Sequence, residues 1–338
     1  MGDICTPGLP GRRALLLGLT SGVLAAVSAC AAPVPVETGS APGTGSSAGT
    51  DVAAGTDSAA GASGAALSAD QLEPVPASLP VQAVPAQEAP GPTQSAAVPP
   101  AAAQPPSRAQ LVSEFAARRP TEWGLNVTGV VTGSPSRQTV ITLDACGGPG
   151  GTACDQQLLA TLRRLNVPAT LFVNERWIRA NPGLAADLAR DPLFELANHG
   201  SLHRPLSVNG RSAYGIAGTA DVGQVYDEIA DNQKLLQDTT GHAPRFFRPG
   251  TAYYDDVAAA ITRRLGLLPV NFTVNGDGGA TFPASTVAAE VGKARSGDIV
   301  IAHFNRPGGG TAAGFAQALP RLLGQGATFA TLGGVLPA

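Results

Sequence analysis

Phe194-Glu-Leu-Ala-Asn-His-Gly-Ser-Leu-His-Arg-Pro-Leu206 carries two of the four histidines in a chain of 338 residues and sets them four positions apart. Its first four residues read as a short buried strand, so both histidines fall where a strand gives way to a turn. Imidazoles at i and i+4 lie on one side of a helical turn and can grip one metal ion. Taken alone, the pair is better explained as surface or capping histidines. Two residues elsewhere favour the metal reading: Asp144 follows the run Thr139-Val-Ile-Thr-Leu143, and His303 ends the run Asp298-Ile-Val-Ile-Ala-His303. A His/Asp set arriving at the carboxyl ends of successive strands is the pattern of a metal-assisted hydrolase site.

Outward from this stretch, β-rich runs alternate with amphipathic ones. Strands are predicted at 139–143, 168–173, 194–197, 245–248, 268–274, 298–303 and 328–332. Helices are predicted at 156–165, 184–190, 221–237 (closed by Gly241), 255–265, 286–295 and 312–323. This alternation argues for parallel βα repeats closed, or nearly closed, into a distorted (β/α)7 barrel. A doubly wound open sheet is the other α/β architecture it allows. Asp144, His199, His203, Arg248, Asp277 and His303 all come just after strands, the edge at which both architectures build their sites.

Composition sets the domain boundaries. Residues 1–30 read as an export signal: Arg12-Arg13 precede an apolar run from Ala14 to Ala29 that is too short to span a bilayer comfortably. The paired arginines suggest twin-arginine export. Val27-Ser-Ala-Cys30 resembles a lipoprotein cleavage box, which would leave Cys30 carrying the lipid. Residues 31–107 contain no Lys, Arg or aromatic residue, cannot bury enough apolar surface to offset chain entropy, and are expected to form a disordered stalk. Residues 108–338 remain as one domain. A net charge of -3 gives no reason to expect a nucleic-acid partner. Outside the cytoplasm, Cys146 and Cys154, which bracket the loop Gly147 to Gly151, are expected to form a disulfide. The alternative is a thiolate ligand or nucleophile at Cys146.

In this order the motifs resemble the polysaccharide deacetylase family, also called the NodB-homology or carbohydrate esterase 4 family. Thr142-Leu-Asp-Ala145 stands where that family has Thr-Phe-Asp-Asp, and His199-Gly-Ser-Leu-His203 matches its metal motif. Phe247-Arg-Pro-Gly250 matches the Arg-Pro-Pro segment, Val274-Asn-Gly-Asp277 loosely matches the fourth motif, and 297–303 matches the final histidine strand. The resemblance implies a divalent metal, zinc by expectation, on His199 and His203. It implies Asp144 as general base paired with Arg248, and His303 as general acid oriented by Asp277. Ala145 replaces the usual third ligand, so the ion is expected to be weakly held unless Asp144 or another group completes the site. Thr251, Phe272 and Asn275 are further departures from the pattern.

The expected protein is thus an exported, lipid-anchored monomer at the outer face of the cytoplasmic membrane, touching the membrane only through its anchor. It is expected to remove N-acetyl groups from envelope glycan. Two alternatives keep the same domain: a metal-independent amidase or imidase, and a non-catalytic glycan-binding lipoprotein. Trp177 and the Tyr253-Tyr254 pair are the candidate stacking platforms for a sugar chain.

Overall fold

The computed structural model describes residues 105–337; the expected export segment, the expected lipidation at Cys30 and the expected stalk through residue 104 lie outside them. Near the start of the described residues Ser107 accepts a hydrogen bond from the Gln110 N–H, which caps α1 (Arg108–Phe115). After β1 (Trp123–Gly124) the predicted alternation begins. It runs β2 (Thr139–Ala145), α2 (Gln156–Leu165), β3 (Ala169–Val173), α3 (Glu175–Ala180), α4 (Pro182–Arg190) and β4 (Phe194–Asn198). Next come α5 (Val222–Thr240), β5 (Phe246–Phe247), β6 (Tyr254–Asp255), α6 (Asp256–Arg264), β7 (Leu268–Pro269) and β8 (Val274–Asn275). The chain ends with α7 (Ala284–Val291), β9 (Ile299–His303), α8 (Thr311–Gly324), β10 (Phe329–Ala330) and α9 (Leu332–Val335). No helix among the described residues is long and apolar enough to cross a membrane.

Eight strands form one sheet in the order β7-β5-β4-β3-β2-β9-β8, with β10 paired to the start of β2, and every pairing is parallel. Its two ends, β7 and β8, are separated in sequence only by residues 270–273. Such a link spans at most about 18 Å, so the sheet curls until its edges approach. The single strand predicted over 268–274 is therefore two short strands on opposite edges. Between them Val131 takes the neighbour's place: its N–H donates to the Pro269 carbonyl and its own carbonyl accepts from the Asn271 N–H.

Both faces of the curl are buried, as parallel sheets require, and the strands alternate between them. Ile141, Leu143 and Ala145 of β2 pack outward with Leu171 and Val173 of β3, against α2 and α8. Val140, Phe172, Ala197, Phe246 and Ile299 point into the curl, whose floor is closed by Leu332 and Leu336. Thr142 and Asp144 share the inward parity of Val140. Asp144 pairs in register with His303 on one side and with Phe172 on the other. The sheet thereby places an acid and a histidine next to each other at its carboxyl edge.

Candidate active site

Arg248, which follows β5, is the fixed point of the site. Its guanidinium is fully buried and donates to the carbonyls of Val270 and Asn271, to Thr142 Oγ1 and, over 2.8 Å, to Asp144 Oδ1. The Phe172 ring lies 4.2 Å from the guanidinium carbon, a desolvated cation–π contact. All these partners fix one plane for the cation, so Asp144 is aimed and paired although it is only 3% exposed. Its second oxygen, Oδ2, stands 3.7 Å from His199 Nε2.

The histidine pair sits on a turn that cannot form without help. His199 Nδ1 lies 2.9 Å from the Arg248 carbonyl; because a carbonyl only accepts, Nδ1 carries the proton and Nε2 keeps its lone pair. Burial, joined by the charges of Arg248, His303 and Arg176, lowers the His199 pKa to about 3 against the raising effect of its hydrogen bond to the Arg248 carbonyl. Burial, then the neighbouring His199 and Arg176, hold His203 well below its ordinary value. Both rings are thus neutral donors. His203 has a left-handed backbone (φ 62), unusual for a residue with a side chain. Its Nε2 is buried and has no hydrogen-bond partner among the described residues.

Buried polar side chains hold the turn in place. The Glu228 carboxylate of α5 accepts from the N–H groups of Leu202 and Arg204, and its backbone carbonyl accepts from Ser201. Burial raises Glu228 to about 7 against the lowering effect of these N–H donors. Asn174 Nδ2 donates to the carbonyls of His199 and Gly200, and Asn198 Oδ1 accepts from the Gly200 N–H and from Asn232 Nδ2. Gly250 presses against the turn: a Cβ there would stand 2.2 Å from the His203 ring.

His303 is built differently. Its side chain is 13% exposed, and its Nδ1 lies 2.9 Å from Asp277 Oδ1, leaving Nε2 for the cleft. Asp277 also accepts from the His303 N–H, Thr311 Oγ1 and the Gly279 N–H. Burial would raise this carboxyl, but the charge and hydrogen bonds of His303 outweigh it and hold the carboxyl below its usual range. Asp144, Cys146, His203 and His303 line one cleft together with Tyr214, Thr251 and Phe272.

The six residues singled out at strand ends all converge here, but the expected disulfide does not form. Among the described residues Cys146 and Cys154 are not joined. Cys146 Sγ faces His199 Nε2 at 3.9 Å, whereas Cys154 Sγ accepts from the Gln156 side chain at the start of α2. The rim between them is pinned instead by Arg176 donating to the Cys146 carbonyl and Trp177 Nε1 donating to the Ala153 carbonyl. Ala145 is fully buried in the outward core and offers no ligand atom. Trp177 and Tyr254 are core residues, so of the proposed platforms only Tyr253 stays at the surface; it packs against Tyr214 and Trp123. Sequence reasoning missed Glu228 and Asn232. The signal was their position on the buried stripe of α5, in phase with Val225, Ile229 and Leu236.

Residues 133–270 match the family model described as polysaccharide deacetylase. Among curated proteins, a peptidoglycan-N-acetylglucosamine deacetylase of Listeria monocytogenes is 27% identical over 209 residues, covering 62% of this chain and 41% of that protein. A bifunctional xylanase/deacetylase of Pseudobutyrivibrio xylanivorans is 25% identical over 58% of this chain and 30% of its own length. The chain thus spans less than half the length of these relatives. Solved structures include a carbohydrate esterase 4 family pseudoenzyme from Bacillus anthracis, with a TM-score of 0.52 and 18% identity over 63% of this chain and 70% of that one. A family 4 carbohydrate esterase from Bacillus subtilis gives 0.51 and 19% over 69% and 91%. These two likenesses show a shared fold.

Proposed function

We propose that this protein, whose residues 133–270 match the polysaccharide deacetylase family model, is a hydrolase that cleaves the amide of N-acetylated sugars in envelope glycan. The observation that carries the reading is the register pair Asp144 and His303, which shares one cleft with the buried His203 and whose Asp144 carboxylate faces the buried His199. His199 Nε2 and His203 Nε2 would hold a divalent ion, which when bound supplies Lewis acidity to the acetamide carbonyl and acidity to water. The orphaned, buried His203 Nε2 fits such an occupant.

Asp144 keeps Oδ2 toward the histidines while Arg248 holds Oδ1, and it takes the proton of the attacking water as general base. His303 Nε2 delivers a proton to the leaving amine. Asp277 fixes its tautomer and supports the imidazolium. Tyr214, Tyr253 and Trp123 provide apolar faces on the rim for neighbouring sugar rings. Arg12-Arg13 and the box ending at Cys30 support export and tethering by a lipid, which would bring the domain to the envelope as a monomer.

The test is acetate release by the full-length, zinc-supplied protein from peptidoglycan fragments and N-acetylglucosamine oligomers. We expect turnover by the wild type and a fall of roughly 10²–10⁴ in both Asp144→Asn and His303→Ala. Equal release by all three proteins would contradict the assigned roles. Glycan binding with no release by any of them would replace the hydrolase by a glycan-binding lipoprotein.

A further inference from the structure

Ala145 removes the carboxylate expected beside the two histidines, yet a third donor stands one residue further on. Cys146 ends β2's run into the rim loop and is 5% exposed, with Sγ 3.9 Å from His199 Nε2. The ligand atoms of Cys146, His199 and His203 all lie within 4.8 Å of one another, and Asp144 does not belong to that group. A tetrahedral zinc with Zn–S of about 2.3 Å and Zn–N of about 2.0–2.1 Å separates its donors by roughly 3.3–3.6 Å. Side-chain adjustments on the order of an ångström would bring all three into that sphere.

The neighbouring loop explains why the thiol faces this way. Gly147 has φ 64, and a Cβ there would lie 2.7 Å from the Trp177 backbone nitrogen; glycine lets the chain turn sharply against α3 directly after the cysteine. Arg176 then holds the Cys146 carbonyl. Cys154 has no comparable role: burial raises its thiol to about 11, and it lies against α2. The buried, unpartnered His203 Nε2 is an independent sign that something occupies the space between these atoms.

Resting on the reading that this cleft binds a divalent ion, we propose that the Cys146 thiolate is its third protein ligand, in place of a carboxylate, completing a Cys/His/His site. A thiolate with two imidazoles favours zinc and cobalt over manganese and magnesium, which prefer oxygen donors. The thiol proton leaves when the ion binds. Asp144 therefore stays off the ion and remains available as the base.

The experiment titrates cobalt(II) into the metal-stripped full chain and follows the near-ultraviolet thiolate-to-cobalt charge-transfer absorption. We expect the band in wild type and Cys154→Ser, and its loss in Cys146→Ser. In that variant cobalt binding should weaken by more than the roughly 10–100-fold that losing a ligand's hydrogen-bond partner costs. In the unmodified protein, zinc should protect Cys146 but not Cys154 from alkylation mapped by mass spectrometry, a readout that does not depend on a variant folding. Cobalt bound without the band, or Cys146 unprotected, overturns the thiolate ligand and leaves the histidine-bound ion standing. A wild type that takes up neither cobalt nor zinc overturns both.

Discussion

The two histidine arrangements at the carboxyl edge of the sheet solve opposite problems. His199 and His203 are 1% and 6% exposed, and burial keeps them neutral. They depend on side chains from distant parts of the chain: Asn174, Asn198, Glu228, Asn232 and the main chain of Arg248. His303 instead lines the cleft and is held by the Asp277 carboxylate. An ion-binding imidazole must be dry, unprotonated and fixed, because the ion replaces water on its lone pair. An acid must touch solvent and substrate, because its work is to exchange a proton. On the proposed roles, the difference in burial is a difference in task. It also predicts that mutations in the first half are read mainly as stability and metal content, and those in the second as rate.

Arg248→Met tests this most severely. It leaves Asp144 buried without its cation, and breaking a buried pair costs about 3–5 kcal/mol. The urea midpoint should fall accordingly at unchanged slope. A loss of about 1 kcal/mol or less, the scale of exposed ion pairs, would mean that this half is not dry and that the contrast fails.

Glu228→Ala should come next. It strips the acceptor from the N–H groups of Leu202 and Arg204, and buried donors left unsatisfied cost about 1–3 kcal/mol. Metal analysis should show reduced zinc, because the turn that carries His203 then loses the acceptor of its Leu202 and Arg204 N–H groups. Glu228→Gln keeps one acceptor oxygen and should fall between the two. Unchanged zinc content in Glu228→Ala would show that the turn is rigid without α5.

Thr311→Val should have the smallest effect. It deletes one donor to Asp277, worth about 0.5–1.5 kcal/mol. Zinc content should stay at the wild-type value while the rate of acetate release declines, since only the orientation of His303 is loosened. A loss of metal would show the two halves to be coupled, and the comparison would have to be redrawn.

The sequence alone determined the main alternation of strands and helices and the residues at the carboxyl ends of β2, β4, β5 and β9, but not α1, β1, α3, β6, α9 or the break between β7 and β8. Hydrophobic runs and caps are local: α2 begins at the predicted residue 156, where the structure shows Asp155 as its cap, and Gly241 closes α5 as expected. What it could not determine is which way side chains face on strands buried on both sides, because such runs are apolar throughout and carry no alternation to read. That is why Ala145 could be recognised as missing a ligand while its outward placement, and the turn of Cys146 toward His199, were decided only by tertiary structure. The same holds for the segment 268–275, whose apolar run reads as one strand. The sheet's closure splits it between two edges, since β7 takes its register from β5 and β8 takes its register from β9. Glu228 was hidden for a related reason: a charge on an apolar stripe has no local explanation until the turn it holds is packed against it.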